Sequence, residues 1–276
     1  MKYRVAALLL SVLLLTACGE EQTELTGAAR AASGDENALF ANDACSYVLE
    51  GTSQRGNEYV WQVRLSNATA SELVFSMDHV YIDDCLADPY FAVAVAAGES
   101  SEVEVVWTAS EQSVWSPDRV GRVDFLLSVY PRGAADAPTA QAALTAYPRG
   151  ENAYQTAERQ PLPTDRTLLE TEDCAVVLTE WIQEDARCGM RLFAENRSDR
   201  TVTYTLEDLR LNGQSFETMR LLALDGGKRG SAEACWQLSE LAEYEISTLG
   251  EITFDLTVRD ASDNSVLYSE HLSVRP

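Results

Sequence analysis

The chain reads as an all-β protein built from two tandem antiparallel β-sandwiches, and three observations predict it. Apolar and polar residues alternate with a period of two through many short segments. The sequence repeats itself without a gap at an offset of 129 residues, from Cys45 on Cys174 to Val129 on Val258. No long segment carries an apolar period of 3.6, apart from a helical turn expected around residues 237–244.

In chain order the first element is a leader. Lys2 and Arg4 precede an apolar run from Val5 to Leu15, which ends in Leu15-Thr16-Ala17-Cys18-Gly19. A bilayer-spanning helix needs roughly 17 to 25 apolar residues, so the run is a secretory signal peptide over residues 1–17 rather than an anchor helix. Residues 18–38 then form a polar tether. The first sandwich is expected over 39–147, a linker carrying Pro161 and Pro163 over 148–167, and the second sandwich over 168–276. Tether and linker read as flexible coils; over the fuller breaks at 19–44 and 148–173 the ends of such a coil lie roughly 28 Å apart.

The strands show themselves by alternation. Tyr59, Trp61, Val63 and Leu65 face one way while Gln62 and Arg64 face the other, and Val103, Val105 and Trp107 alternate with Glu102 and Glu104. Val123, Phe125, Leu127 and Val129 do the same, and their duplicates Ile252, Phe254, Leu256 and Val258 repeat the pattern. Each is a half-buried antiparallel strand, separated from the next by breaks at 53–57, 67–71, 97–100 and 131–138. Trp107 and Trp236 fall in phase with the apolar face and are expected in the cores. Asn67 and Asn196 suit turns after a strand, because asparagine bonds its own main chain there. The first copy has Asp83-Asp84 where the second has Asn212-Gly213, so those turns are expected to differ.

About 105 residues per unit and some seven strands each make two immunoglobulin-like sandwiches the economical architecture. Two resemblances agree with this. Leu15-Thr16-Ala17-Cys18 resembles the lipobox of bacterial lipoproteins, which implies that Cys18 is lipidated and becomes the mature N-terminus. The strands ending at Asn67 and Asn196, together with Leu211-Asn212-Gly213, Gly226-Gly227-Lys228 and Leu249 to Phe254, resemble bacterial surface lipoproteins with tandem immunoglobulin-like domains. That resemblance implies a fold and supplies no catalytic residues.

Five cysteines follow the anchor: Cys45, Cys85, Cys174, Cys188 and Cys235. Outside the cytoplasm disulfides are permitted. A bridge confined to the first unit has one choice, Cys45 to Cys85, and the second unit offers three pairings that the sequence leaves open. No Cys-x-x-Cys is present, so neither a zinc ribbon nor a redox pair is indicated.

Composition excludes some functions. Lys and Arg total 21 against 44 Asp and Glu, a formal charge of −23, and no basic cluster exists to neutralise a phosphate backbone. Nucleic acid is therefore not an expected partner. Neither Gly-x-Ser-x-Gly nor His-Glu-x-x-His occurs, and His79 and His271 read as exposed structural residues. Asp78, Asp83, Asp84 and Asp88 lack calcium-loop spacing and read as a solvated edge that discourages strand pairing, with calcium as the alternative. No catalytic residue, metal or cofactor is expected. The expected function is that of a lipid-anchored display or adaptor protein on the extracytoplasmic face of a bacterial membrane, with a Gram-positive surface preferred. Its partner would be another envelope protein or polymer. The alternative is a carbohydrate or solute receptor using Tyr90, Phe91 and Trp115.

Overall fold

The computed structural model describes residues 37–110, 113–156 and 158–276. Residues 1–36, which include the signal peptide, Cys18 and nearly all of the tether, lie outside them. The first unit contains β1 (Ala38–Ala41), β2 (Cys45–Arg55), β3 (Glu58–Asn67), β4 (Leu73–Ile82), β5 (Cys85–Leu86), β6 (Ala92–Val95), β7 (Ser100–Thr108), β8 (Val123–Pro131) and β9 (Ala140–Ala146). The second contains β10 (Arg166–Glu170), β11 (Cys174–Gln183), β12 (Arg187–Asn196), β13 (Val202–Leu211), β14 (Gln214–Ser215), β15 (Met219–Leu224), β16 (Arg229–Gln237), α1 (Leu238–Glu243), β17 (Ile252–Asp260) and β18 (Val266–Val274). The short helix falls where the helical turn was expected.

In the first unit, sheet β1-β2-β3-β7 faces β4, which is flanked by β5, β6 and β8, with β9 outermost. The second unit repeats this, with β10-β11-β12-β16 facing β13, β14, β15, β17 and β18. The period-two pattern supplies the cores, since every second residue of a strand points to the same face. Trp61 packs edge-on against Trp107 with ring centroids 5.1 Å apart, and against Phe125 at 5.9 Å. Trp107 and Trp236 are both buried, as their phase demands.

The duplication extends to atomic detail. The Asn67 amide donates to the carbonyls of Ser71, Val95 and Ala96 at 2.8, 2.9 and 3.1 Å, and its Oδ1 accepts from Thr69 N and Oγ1. Asn196 makes the same set with Arg200, Leu224, Asp225 and Ser198. Each asparagine does more than turn the chain: it is a buried plug that satisfies three carbonyls at one end of a sandwich. Both copies also carry a bulge in the central strand, at His79 (φ 50) in β4 and Asp208 (φ 46) in β13.

The turn after that strand departs from expectation. Asp83 and Asp84 have φ of 49 and 69, and Asn212 and Gly213 have 49 and 87, so both copies make the same left-handed two-residue turn. Position 84 holds an aspartate where its twin uses glycine, which costs roughly 1–2 kcal/mol in the left-handed region.

Cys45 and Cys85 do not form a disulfide; all five cysteines are free thiols. Cys45 lies opposite Asn67, whose amide reaches Val95, the partner of Leu73 at the start of β4. Cys85 pairs with Ile82 at the far end of that strand. Ten residues of strand separate the two ends by roughly 30 Å, far beyond a disulfide's reach. In the second unit Cys174 and Cys188 occupy opposite ends of the β11–β12 pair, and Cys188 faces the core while Cys235 faces outward.

The two units are joined edge to edge. Arg229 of β16 pairs in parallel with Cys85 of β5, which fuses one sheet from each sandwich into a single nine-stranded sheet. The linker is strapped down rather than coiled freely. Tyr154 bonds Asp84 through its hydroxyl, and its backbone lies so close to Gly121 that a Cβ there would come within 2.8 Å of the Tyr154 Cα. Arg159 forks onto Asp165 with two bonds of 2.6 Å and stacks over Phe193, 5.5 Å from the ring centre.

Candidate ligand groove beside a polar domain junction

A one-residue strand bridge cannot hold two domains, and side chains complete the junction. Lys228 is one of two lysines in the chain, the other being Lys2. Its Nζ sits 2.7 Å from Asp84 and 2.6 Å from Asp124, both on the first unit, and 5.2 Å from the Tyr81 ring centre. Arg122 bridges the same carboxylates, 2.7 Å from Asp124 and 3.7 Å from Asp84, and stacks on Tyr154. The aspartate at position 84 is thereby explained: its left-handed backbone aims a carboxylate at the other domain. Burial opposes its ionisation, but bonds from Lys228 and Tyr154 outweigh that and hold the carboxyl below its ordinary value.

Beside this cluster, Tyr81 leaves its own sandwich and packs with the core of the second. Its hydroxyl accepts a bond of 2.9 Å from Asp225 N. The Asp225 carboxylate accepts from Thr201 at 2.8 Å and meets His79 Nδ1 at 3.2 Å. That bond raises the His79 pKa, against a smaller opposing effect of burial.

The bulge that turns His79 toward the junction leaves the outer face of β4 and β8 open as a groove of about 730 Å³. Its wall is the segment between β5 and β6, where the Tyr90 ring is fully exposed to solvent. Tyr130 of β8, Asp78 of β4 and Asp88 complete the rim, with Ser76, Ser128 and Gln141 on the floor. Ser76 Oγ donates to Asp78 at 3.4 Å, and Gln141 Nε2 donates to Ser128 Oγ at 3.1 Å. No arginine or lysine lines it.

The second copy shows what a closed version looks like. Glu207 and Arg259 occupy the positions of Asp78 and Tyr130, and the Arg259 guanidinium bonds Glu207 at 3.0 to 3.2 Å. Asp255, at the place of Leu126, is paired with His271 at 2.6 Å. That face neutralises itself. In the first copy tyrosine replaces the arginine, so Asp78 has no Arg or Lys partner among the described residues.

The expected aspartate cluster therefore divides among three tasks. Asp83 accepts from Gly121 N at 3.0 Å and Arg122 N at 2.8 Å, Asp84 joins the domains, and Asp78 and Asp88 face the groove. Among the described residues no group of three or more His, Cys, Asp or Glu is placed to hold a metal ion. Of the three aromatic residues, Tyr90 and Phe91 line the groove, while Trp115 is buried in a separate cavity of about 310 Å³ bordered by Cys85 and Gly230. His79, expected to be merely exposed, is a junction residue. Lys228, Tyr81, Tyr130 and Asp225 were not singled out by sequence reasoning. The signal that could have found them is that each differs in type from its duplicate.

No protein-family model and no curated protein matches the chain. Similar solved structures include the YadV chaperone, 12% identical with a TM-score of 0.23 over 83% of this chain and 99% of that one. The Salmonella enterica SafA pilin in complex with the SafB chaperone gives 11% and 0.23, covering 85% and 99%. The β-D-mannosidase from Dictyoglomus thermophilum gives 10% and 0.22, covering 76% of this chain and 21% of that one. Identities and TM-scores this low say nothing about ligand or activity.

Proposed function

We propose that this protein is a non-enzymatic binding module, lipid-anchored at Cys18 on the extracytoplasmic face of a bacterial membrane. Its two immunoglobulin-like sandwiches present the first unit's groove to an envelope protein or polymer. One observation carries the reading: duplicated faces have diverged, so that one is sealed by the Glu207–Arg259 pair while the other is open and ringed by Tyr90, Tyr130 and Asp78. A pure spacer would have no use for that difference. The junction supports the reading, because it spends its charged groups on fixing how the groove stands relative to the rest of the chain.

The test is in-cell photo-crosslinking from a benzoylphenylalanine placed at Tyr90, with the same probe at its duplicate Met219 as control. A repeatable adduct at Tyr90, absent at Met219 and lost when Cys18→Ala releases the protein from the membrane, is the expected result. Equal labelling at both positions would overturn the groove as the binding face. Full membrane retention of Cys18→Ala would overturn the anchor.

A further inference from the structure

The groove's chemistry narrows its occupant, on the reading that it is the binding face. We infer that it takes an oligosaccharide bearing free amino groups, with a sugar ring laid on Tyr90. Its volume of about 730 Å³ falls in the range of roughly 300–1,000 Å³ typical of small-ligand sites.

A fully exposed tyrosine beside a second one offers flat apolar faces with polar tips, which suits a pyranose, whose C–H face is apolar and whose rim is hydroxylated. Carboxylate, amide and hydroxyl groups at Asp78, Asp88, Gln141 and Ser76 supply the acceptors and donors that such a rim requires. Asp78 and Asp88 line the groove without an arginine or lysine, and the one basic group on its lining, His79, is bonded to Asp225. On a chain of net charge −23 an anionic glycan would be repelled and an ammonium attracted.

A peptide fits less well. Strand addition uses a sheet edge, and this groove opens on the face of β4 and β8, each paired on both sides, while the free edge lies beyond them at β9. A helix needs a continuous apolar trough, and this floor is half polar. The second copy supplies an internal contrast: with Met219 at the place of Tyr90 it has no platform, and with Arg259 at the place of Tyr130 the counterpart of Asp78, Glu207, is neutralised.

The experiment is calorimetric titration of the full chain with a glucosamine hexamer under mildly acidic conditions that protonate its amines. The N-acetylated hexamer, an anionic hexuronate hexamer and a lysine-rich peptide serve as comparators. The glucosamine hexamer should bind most tightly and weaken as salt is added. Tyr90→Ala should lose about tenfold in affinity with the thermal midpoint unchanged, because the ring touches only solvent, and Tyr90→Phe should restore binding. The pair Asp78→Asn and Asp88→Asn should abolish the preference for amine over acetyl. Failure of the hexamer to bind, equal binding by Tyr90→Ala, or tighter binding of the hexuronate or the peptide would overturn the inference. A protein adduct at Tyr90 in cells, with no sugar bound in the calorimeter, would leave the binding module standing and refute the sugar alone.

Discussion

Lys228→Ala should uncouple the two sandwiches. The substitution leaves Asp84 and Asp124, whose side chains are 10% and 14% exposed, facing each other without the ammonium that sits 2.7 and 2.6 Å from them. Stripping one partner from a buried ion cluster costs about 3–5 kcal/mol. Arg122 remains 2.7 Å from Asp124 and 3.7 Å from Asp84, so part of the charge stays compensated. The lower end of that range, about 3 kcal/mol, is therefore expected. For the two sandwiches melting as one cooperative unit that corresponds to a fall of roughly 10 °C in the midpoint. Because the loss falls on the junction and not on either core, calorimetry should show one cooperative transition becoming two. A double-mutant cycle with Asp84→Ala should return a coupling of about 1.5 kcal/mol or more. A single unsplit transition together with a coupling below about 0.5 kcal/mol would refute the assignment of Lys228 as the clamp.

Three further outcomes follow from the same geometry. The folded pKa of His79 is raised above its ordinary 6.5 by Asp225, so its stabilising contact is complete below about pH 6.5 and fades as pH rises through the folded value. The midpoint difference between the native chain and His79→Ala should then be largest near pH 5 and shrink as the pH rises above about 6.5; a difference that grows with pH would contradict this. Asn67→Ala removes three bonds to carbonyls, of which Ser71 O and Ala96 O keep Thr69 Oγ1 and Glu99 N as donors, and should destabilise the first sandwich by about 1–3 kcal/mol in urea unfolding, with Asn196→Ala doing the same to the second. Burial pushes the thiols of Cys45 and Cys85 up to about 11 and about 12, whereas Cys235 is half-buried. Alkylation of the native chain at neutral pH should therefore reach Cys235 first among the five, and equal rates at Cys85 would be inconsistent with the buried junction.

The charges that make the junction are not repeated at the duplicate edges. The edges equivalent to β16 and β5 are β7 and β14, and repeating the contact between molecules would give an open chain rather than a closed pair. Glu99 stands where Lys228 would be needed and Gly213 where Asp84 would be, so the attracting charges are missing from the free edges. Glu102 on β7 adds a charge of the kind that keeps exposed strand edges apart, while Glu104 beside it is paired with Arg55 at 3.0 Å.

Much was legible because strands and repeats are local or self-referential patterns. Alternation at Val123 to Val129 placed a strand without any knowledge of its partners, and the offset of 129 residues gave the same strand again at Ile252 to Val258. The aspartate turn was misjudged because residue type favours glycine at a left-handed position. The structure accepts that local strain for a contact with Lys228, which lies 144 residues away. The Cys45–Cys85 bridge failed for a related reason: pairing by elimination ignores the length of β4, which carries the two thiols to opposite ends of the sandwich.

By itself, then, the sequence determined an all-β duplicated chain with two cores, since a periodic pattern fixes which side of each strand is buried. What the tertiary structure alone decided is which residues meet across the copies. Lys228 with Asp84, Asp225 with His79, and Tyr90 with Tyr130 and Asp78 are brought together by how two sandwiches pack and how one sheet bulges. Such contacts depend on three-dimensional distance, which no period along the chain encodes.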